Sequence, residues 1–265
     1  MRIVTHVFET EHTSRARGVT KDAFDRLLVV FEKSARACMP GSTIVTVTKY
    51  LPNSRSAEEM HAAAYAAKPR WWEEEVKMAS GPFMLADCDL MFLRPVNSVL
   101  DYSFDVAITR RDELDGRFTF PETLRVIEQG KWAHLRGMVN APFNTGVMFV
   151  RPNDRSRQFF QLWADTVAAM TFDRAFYMKW KKKYLAIDQA ALGYLIETGG
   201  YNAEVISLPC SSWNSCESSW GYTDKIARVV HIKRELRQKC LGLGSVEQKP
   251  RLKFLVDVWK RYEKA

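Results

Sequence analysis

Cysteine is scarce in this chain. Its 265 residues hold five, Cys38, Cys88, Cys210, Cys216 and Cys240, an odd number with no C-x-x-C pair. That excludes both a disulfide framework and a thiolate zinc site, and it points to a reducing, cytoplasmic setting. Long apolar runs are missing too. Runs such as Leu27 to Phe31 and the largely apolar Phe143 to Val150 fall far short of the roughly 20 residues needed to cross a bilayer. The apolar start at Met1 to Phe8 is cut off by Glu9 and Glu11 before it could serve as the core of a signal peptide. There is no internal repeat, no low-complexity stretch and no linker long enough to divide the chain. What remains, 46% hydrophobic and 26% charged residues, is enough for a sizeable core and excludes disordered and collagen-like classes.

The formal net charge of +8 is unevenly placed. From Lys225 onward there are twelve Lys and Arg against four acidic residues, so the first 224 residues are neutral on balance. A protein that coats nucleic acid over its whole surface is thereby disfavoured, and an anionic partner is expected at the C-terminal part.

Strand and helix patterns alternate. Residues 2 to 8 read as a strand. Phe24, Leu27, Leu28, Phe31, Ala35 and Cys38 follow helical spacing behind Thr20, and Pro40-Gly41 closes that helix. Ile44 to Thr48 reads as a second strand and Ala57 to Ala79 as a helical region broken at Pro69. Gly81-Pro82 then introduces the strand Phe83 to Ala86, which ends in Asp87-Cys88-Asp89. Further strands are expected at Val106 to Thr109, Phe143 to Val150 and Ala203 to Leu208. Helices are expected around Phe160 to Met170 and over Asp188 to Glu197, the latter stopped by Gly199-Gly200. The β-α-β-α-β order predicts a parallel sheet with helices on its faces. Ligands in such sheets sit beyond the carboxyl ends of the strands, where Phe8-Glu9-Thr10 and Asp87-Cys88-Asp89 both fall.

Asp87 and Asp89 form the only D-x-D in the chain. Two residues apart on an extended strand end, they point to one side and can converge on a hard cation, with Cys88 turned into the packing. Apolar sequence on both sides makes these charges costly unless something compensates them. His231 follows the apolar Val229-Val230 and precedes Lys233, Arg234, Arg237 and Lys239. Imidazole suits Mn²⁺ as a borderline ligand, and Lys and Arg are natural partners for diphosphate oxygens. A metal held by Asp87, Asp89 and His231, with the basic segment closing on phosphates, is a coherent reading.

The order of Asp87-x-Asp89, Phe143-Asn144-Thr145-Gly146-Val147-Met148, Asp188-Gln189 and a late His231 with Lys233 resembles the motifs of metal-dependent glycosyltransferases of the GT-A fold. The likeness is to the retaining glycogenin and lipopolysaccharide galactosyltransferase kind, over roughly residues 1 to 240. It implies an α/β fold with a single Rossmann-like mixed sheet flanked by helices, Mn²⁺ or Mg²⁺ as cofactor, and a nucleotide-diphosphate sugar, UDP-hexose, as donor. It also implies roles. Asp87 would bind the donor ribose and the metal, Asp89 and His231 the metal, and Lys233, with Arg234 and Arg237 nearby, the diphosphate. Phe8, Glu9 and Thr10 would receive the base, and Asn144, Thr145 and Gly146 would line the sugar pocket. Asp188 would hydrogen-bond sugar hydroxyls, with Gln189 beside the anomeric carbon. Where the family carries a glycine and Lys-Pro-Trp after the histidine, this chain reads Lys-Arg-Glu-Leu-Arg. Front-face attack, with Asp188 and Gln189 stabilising the sugar cation, is the expected route to retention.

Other features are read with their plainer alternatives. Of Trp71 and Trp72, one is expected in the core and one at the pocket, while Lys68 and Arg70 either reach the diphosphate or lie on a solvated face. Phe118, Phe120, Trp132, His134, Arg136, Trp213, Trp220 and Tyr222 either stack on sugars or pack in the core. Lys181-Lys182-Lys183 reads as a surface run. Residues 241–265 read as a basic amphipathic extension with Leu252, Leu255, Val256, Trp259 and Tyr262 on one face, available for peripheral contact with the inner membrane face or for packing on the domain. The acceptor is expected to be a saccharide or glycolipid. The alternatives are transfer to nucleic acid, such as a modified base in DNA, and a non-catalytic nucleic-acid-binding domain.

Overall fold

The computed structural model describes residues 1–9, 14–15, 19–51, 57–110, 125–126, 143–181, 184, 186–216, 223–243 and 250–264. Strand β1 (Arg2–Glu9) is followed by the short pair β2 (Ser14–Arg15) and β3 (Val19–Thr20), helix α1 (Lys21–Cys38), β4 (Thr43–Tyr50) and helix α2 (Ala57–Met78). Next come β5 (Phe83–Ala86), β6 (Leu90–Phe92), β7 (Val106–Arg110), β8 (Arg125–Val126) and β9 (Phe143–Val150). Helices α3 (Asp154–Phe172), α4 (Arg174–Lys181) and α5 (Ile187–Thr198) lead to β10 (Val205–Pro209). The chain closes with α6 (Cys210–Trp213), α7 (Thr223–Ile226), β11 (Val229–His231), α8 (Arg234–Leu241) and α9 (Pro250–Lys264).

The main sheet runs β4-β1-β5-β9-β7-β10-β8. β4, β1 and β5 are parallel, as are β7 and β10. β9 lies antiparallel between β5 and β7, so the sheet is mixed rather than wholly parallel. All eight residues of β9 and all four of β5 are buried, as expected for apolar runs covered on both faces. Between Ile108 and Thr109 the β7–β9 register jumps from Met148 to Asn144, so β7 skips Thr145 to Val147 and β9 bulges there. The Thr109 hydroxyl fills the gap by donating to the Asn144 carbonyl at 2.6 Å. Bulges of this kind re-aim side chains and are common beside active sites.

A second, two-stranded sheet pairs β11 with β6 antiparallel and sets His231 opposite Leu90. The Ile232 amide donates to the Asp89 carbonyl at 2.8 Å. Two segments more than 140 residues apart in sequence are thus brought side by side at the end of β5.

One expectation changes and one alternative is decided. Helix α2 is not broken at Pro69 but continues through it. The lost i→i−4 hydrogen bond and ring clash cost about 3 kcal/mol in an exposed helix. Here they are offset by packing, since Trp72 meets Trp163 of α3 edge to face at 6.0 Å and Val76 lies in the same buried cluster. Helix α9 takes the second of its two expected roles, packing on the domain. Its apolar face, Leu252, Leu255, Val258 and Trp259, is buried against Leu27 and Val30 of α1, Val230 and Ile232 at β11, and Leu236 and Cys240 of α8. Arg26 ties α1 to Glu263 at 2.6 Å. The face offered to a membrane by the sequence pattern is therefore covered by the protein itself, while Lys253, Lys260, Arg261 and Lys264 remain exposed. No helix among the described residues is long and apolar enough to cross a membrane. Since Trp259 is fully buried, Trp259→Ala should lower unfolding stability by about 3–5 kcal/mol in urea titrations. A change below about 1 kcal/mol, the size of a surface substitution, would mean that α9 is not part of the core.

Candidate active site

Beyond the end of β5 a cavity of about 420 Å³ opens between α2, the β9 bulge and the β11–α8 segment. Asp87, Asp89 and His231 meet at its floor, each offering a ligand atom within 4.8 Å of the others. His231 Nε2 lies 2.9 Å from Asp89 Oδ1 and 3.7 Å from Asp87 Oδ2. The ring fits because β9 has a glycine here. A Cβ on Gly146 would stand 2.6 Å from His231 Cε1 and 3.0 Å from Asp87 Oδ2, closer than van der Waals contact permits. Gly146 therefore makes room for the protein's own imidazole.

Each carboxylate has a cation. Lys68 of α2 is 8% exposed. It donates to Asp87 Oδ1 at 2.6 Å and to the Thr145 carbonyl at 2.7 Å, and lies over the Trp72 ring at 4.3 Å. Arg237 of α8 is bonded to Asp89 Oδ2 through Nη2 and to the Ile232 carbonyl through Nε at 3.0 Å. Burial works against the Asp89 charge, but the His231 ring in its protonated form and the Arg237 guanidinium outweigh it and hold the carboxyl well below the usual range. Burial holds the His231 ring below its usual range despite the two carboxylates, which favours the neutral, ligand-competent imidazole. Its Nδ1 lies 3.0 Å from Asn214 Oδ1.

Other residues from the sequence reading are spread around this floor. Phe8 lines the cavity and faces Phe24 at 6.4 Å. Glu9 ends β1, with its side chain outside the described region, and Thr10 lies outside the described residues. Asn144 and Thr145 line the wall. The Asn144 amide is engaged within the protein, accepting from Gly146 N at 3.0 Å and donating to Cys216 Sγ at 3.2 Å. Lys233, Arg234 and Gln189 also line the cavity. Asp188 does not reach the lining. It is fully buried behind Thr145, whose hydroxyl donates to Asp188 Oδ2 at 2.6 Å, and burial pushes its carboxyl up.

Residues 68–239 match the family described as nucleotide-diphospho-sugar transferase. This chain belongs to that family and is a glycosyltransferase. No curated protein matches it. Among solved structures it is similar to a glycosyltransferase involved in the glycosylation of the major capsid of PBCV-1. That likeness has 13% identity and a TM-score of 0.54, and covers 91% of this chain and 98% of the other. It is also similar to the glycosyltransferase GlyE of Streptococcus pneumoniae TIGR4, with 12% identity and a TM-score of 0.54, over 99% of this chain and 61% of GlyE. At such identities the likeness is one of fold, and the fold is of the GT-A type.

In this glycosyltransferase Trp71 lies at the cavity, edge to face with His6 at 6.0 Å, while Trp72 is buried in the core. Trp213 packs on Phe149 in the core at 5.6 Å and is not a sugar platform. Arg70 is turned away, paired with Glu73 and with Asp165 at 2.7 Å. Phe118, Phe120, Trp132, His134, Arg136, Trp220 and Tyr222 lie outside the described residues. His61, Ala64 and Tyr65 were missed and share the cavity wall with Lys68 and Trp72. Their i, i+3, i+4, i+7, i+11 spacing is a helical stripe, and it could have been read from the sequence. Asn214 and Thr109 carried no comparable signal.

Arg234 is the non-glycine residue with positive φ, +42°, among the described residues. The left-handed region is one that glycine enters without steric cost, so Arg234 holds a glycine-like backbone while its side chain lines the cavity. Arg234→Gly should raise stability by up to about 1 kcal/mol by relieving this strain, while raising KM for the donor. A variant less stable than wild type would contradict the strain, and an unchanged KM the contact.

Proposed function

We propose that this glycosyltransferase moves a hexose from a UDP-hexose to a hydroxyl of a saccharide or glycolipid, with retention at the anomeric carbon, using Mn²⁺ or Mg²⁺ held by Asp87, Asp89 and His231. The observation that carries this reading is the convergence of those three side chains at one point of the cavity floor, with cations around them. Two carboxylates and one imidazole are a donor set suited to these ions, and the absent Cβ of Gly146 leaves the ligands room to close on one. When bound, the divalent ion supplies positive charge against the leaving nucleoside diphosphate.

The protein's own residues do the rest. Lys233, Arg234 and Arg237 meet the diphosphate oxygens, for which Lys and Arg are the strong partners, and Asp87 also reaches the donor ribose. Phe8, with Glu9 and Thr10 beyond it, receives the base. Asn144 and Thr145 form the hexose wall, Gly146 serves the metal site by leaving room for the His231 ring rather than touching the hexose, and Asp188 acts from behind by fixing the Thr145 hydroxyl. Gln189 faces the anomeric carbon.

A covalent glycosyl intermediate needs a carboxylate free to attack. Among the described residues lining the cavity the carboxylates are Asp87 and Asp89, and each is engaged by a cation. This favours attack from the leaving-group face. The bond from the anomeric carbon to the diphosphate oxygen breaks and the bond to the acceptor oxygen forms. The acceptor's proton passes to the departing phosphate oxygen, while the Gln189 carbonyl stabilises positive charge on the sugar. Five cysteines without a disulfide support a cytoplasmic site of action.

Release of UDP from UDP-hexoses in the presence of Mn²⁺, with and without saccharide acceptors, tests the reading. Wild type should turn over with at least one donor, EDTA should stop it, and Asp89→Asn should reduce kcat/KM by roughly 100-fold or more. Turnover indifferent to both EDTA and Asp89→Asn would remove the metal from the proposal, and an inverted anomer in the product would remove the front-face route.

A further inference from the structure

We propose that Asn214 is a positioning residue that holds His231 in the tautomer that binds a metal through Nε2, the nitrogen facing Asp87 and Asp89. This rests on the metal reading above. His231, Asn214 and Thr109 are all buried, at 1%, 0% and 0% exposure, so their polar atoms have no recourse to water. His231 Nδ1 is 3.0 Å from Asn214 Oδ1, Asn214 Nδ2 is 3.1 Å from Thr109 Oγ1, and Thr109 Oγ1 is 2.6 Å from the Asn144 carbonyl.

The direction of this chain is forced from its far end. A carbonyl only accepts, so the Thr109 hydroxyl must give its single proton to Asn144. Thr109 Oγ1 can then only accept from Asn214, which requires the NH₂ side of the amide to face it. The amide oxygen consequently faces His231 and accepts from Nδ1–H. With Nδ1–H held by Asn214, Nε2, 2.9 Å from Asp89 Oδ1 and 3.7 Å from Asp87 Oδ2, is the nitrogen whose lone pair is open to a cation bound between ring and carboxylates, the cation taking the place of the proton that Asp89 accepts from Nε2 when no metal is there. A metal-ligating histidine characteristically has its second nitrogen held in this way, and loss of such a partner weakens metal binding by roughly 10- to 100-fold.

The backbone keeps the chain in register. Ser215, next to Asn214, takes a hydrogen bond from His231 N at 2.9 Å and gives one to the Val229 carbonyl at 2.8 Å. Asn214 itself ends α6, its N–H bonded to the Cys210 carbonyl at 2.9 Å. The β9 bulge that gives His231 its space at Gly146 also presents the Asn144 carbonyl on which the relay ends. Room for the ring and orientation of the ring thus have one structural origin.

Titration of Mn²⁺ into the full chain, with free Mn²⁺ read by electron paramagnetic resonance, tests this on wild type, Asn214→Leu, Asn214→Asp, Thr109→Val and Asp89→Asn. Asn214→Leu should bind Mn²⁺ roughly 10- to 100-fold more weakly. Asn214→Asp, whose carboxylate still accepts from Nδ1–H, should restore affinity, a rescue that a purely space-filling role would not produce. Thr109→Val, which frees the amide to turn over, should fall between wild type and Asn214→Leu, and it carries the test if the leucine variant does not fold. Wild-type affinity in both Asn214→Leu and Thr109→Val, or no rescue by Asn214→Asp, overturns the inference. If Asp89→Asn loses Mn²⁺ while Asn214→Leu does not, the inference alone fails. If wild type binds no Mn²⁺, or Asp89→Asn binds it as tightly, the metal site falls and the positioning role with it.

Discussion

Two carboxylates at the end of a buried strand set the terms for everything built around them. An ionised Asp in low dielectric is costly unless its charge is met, and removing one member of a buried pair costs about 3–5 kcal/mol. The fold answers with one cation from each side of the cavity. Lys68 rises from α2 to Asp87, and Arg237 comes from α8 to Asp89. With Lys233 and Arg234 also at the cavity, positive charge exceeds the two carboxylates, a surplus that suits the anionic diphosphate of the proposed donor. The basic C-terminal segment is therefore only partly a surface property, since its members nearest His231 face the site.

The same end of β5 explains the departures from a simple parallel sheet. β9 runs against its neighbours and so delivers Asn144 to Gly146, its first residues, to the edge where the parallel strands finish. Its bulge makes a dent in the wall, and the missing side chain of Gly146 turns that dent into the seat of His231. The small β6–β11 sheet then carries His231 to that seat. Antiparallel pairing, a bulge, a glycine and a two-stranded annex act here as one device for placing an imidazole beside two aspartates.

What could be read from the sequence was local. The apolar strand before Asp87-Cys88-Asp89 and the short apolar run before His231 announce themselves within ten residues, and each is where the pattern put it. Lys68 is different. On a helix its side chain is as easily solvated as buried, and only the approach of Thr145 and Asp87, made by the sheet, decides between them. Pro69 was misread because proline's local penalty is visible and the tryptophan packing that offsets it is not. The amphipathic pattern of α9 was real, but a pattern shows that a face will be covered and not by what. Asn214 and Thr109 matter through hydrogen-bond direction across 105 residues of sequence, which no spacing rule encodes.

The central claim is that Asp87, Asp89 and His231 form a metal seat. Its most direct test is a crystal of the full chain soaked in Mn²⁺ and UDP, with diffraction recorded above the manganese absorption edge. The expected result is one strong anomalous peak at about 2.0–2.4 Å from His231 Nε2 and from oxygens of both aspartates, with diphosphate oxygens completing the shell. A map with no peak there, and Asp89 still closed on Arg237 beside bound UDP, would contradict it.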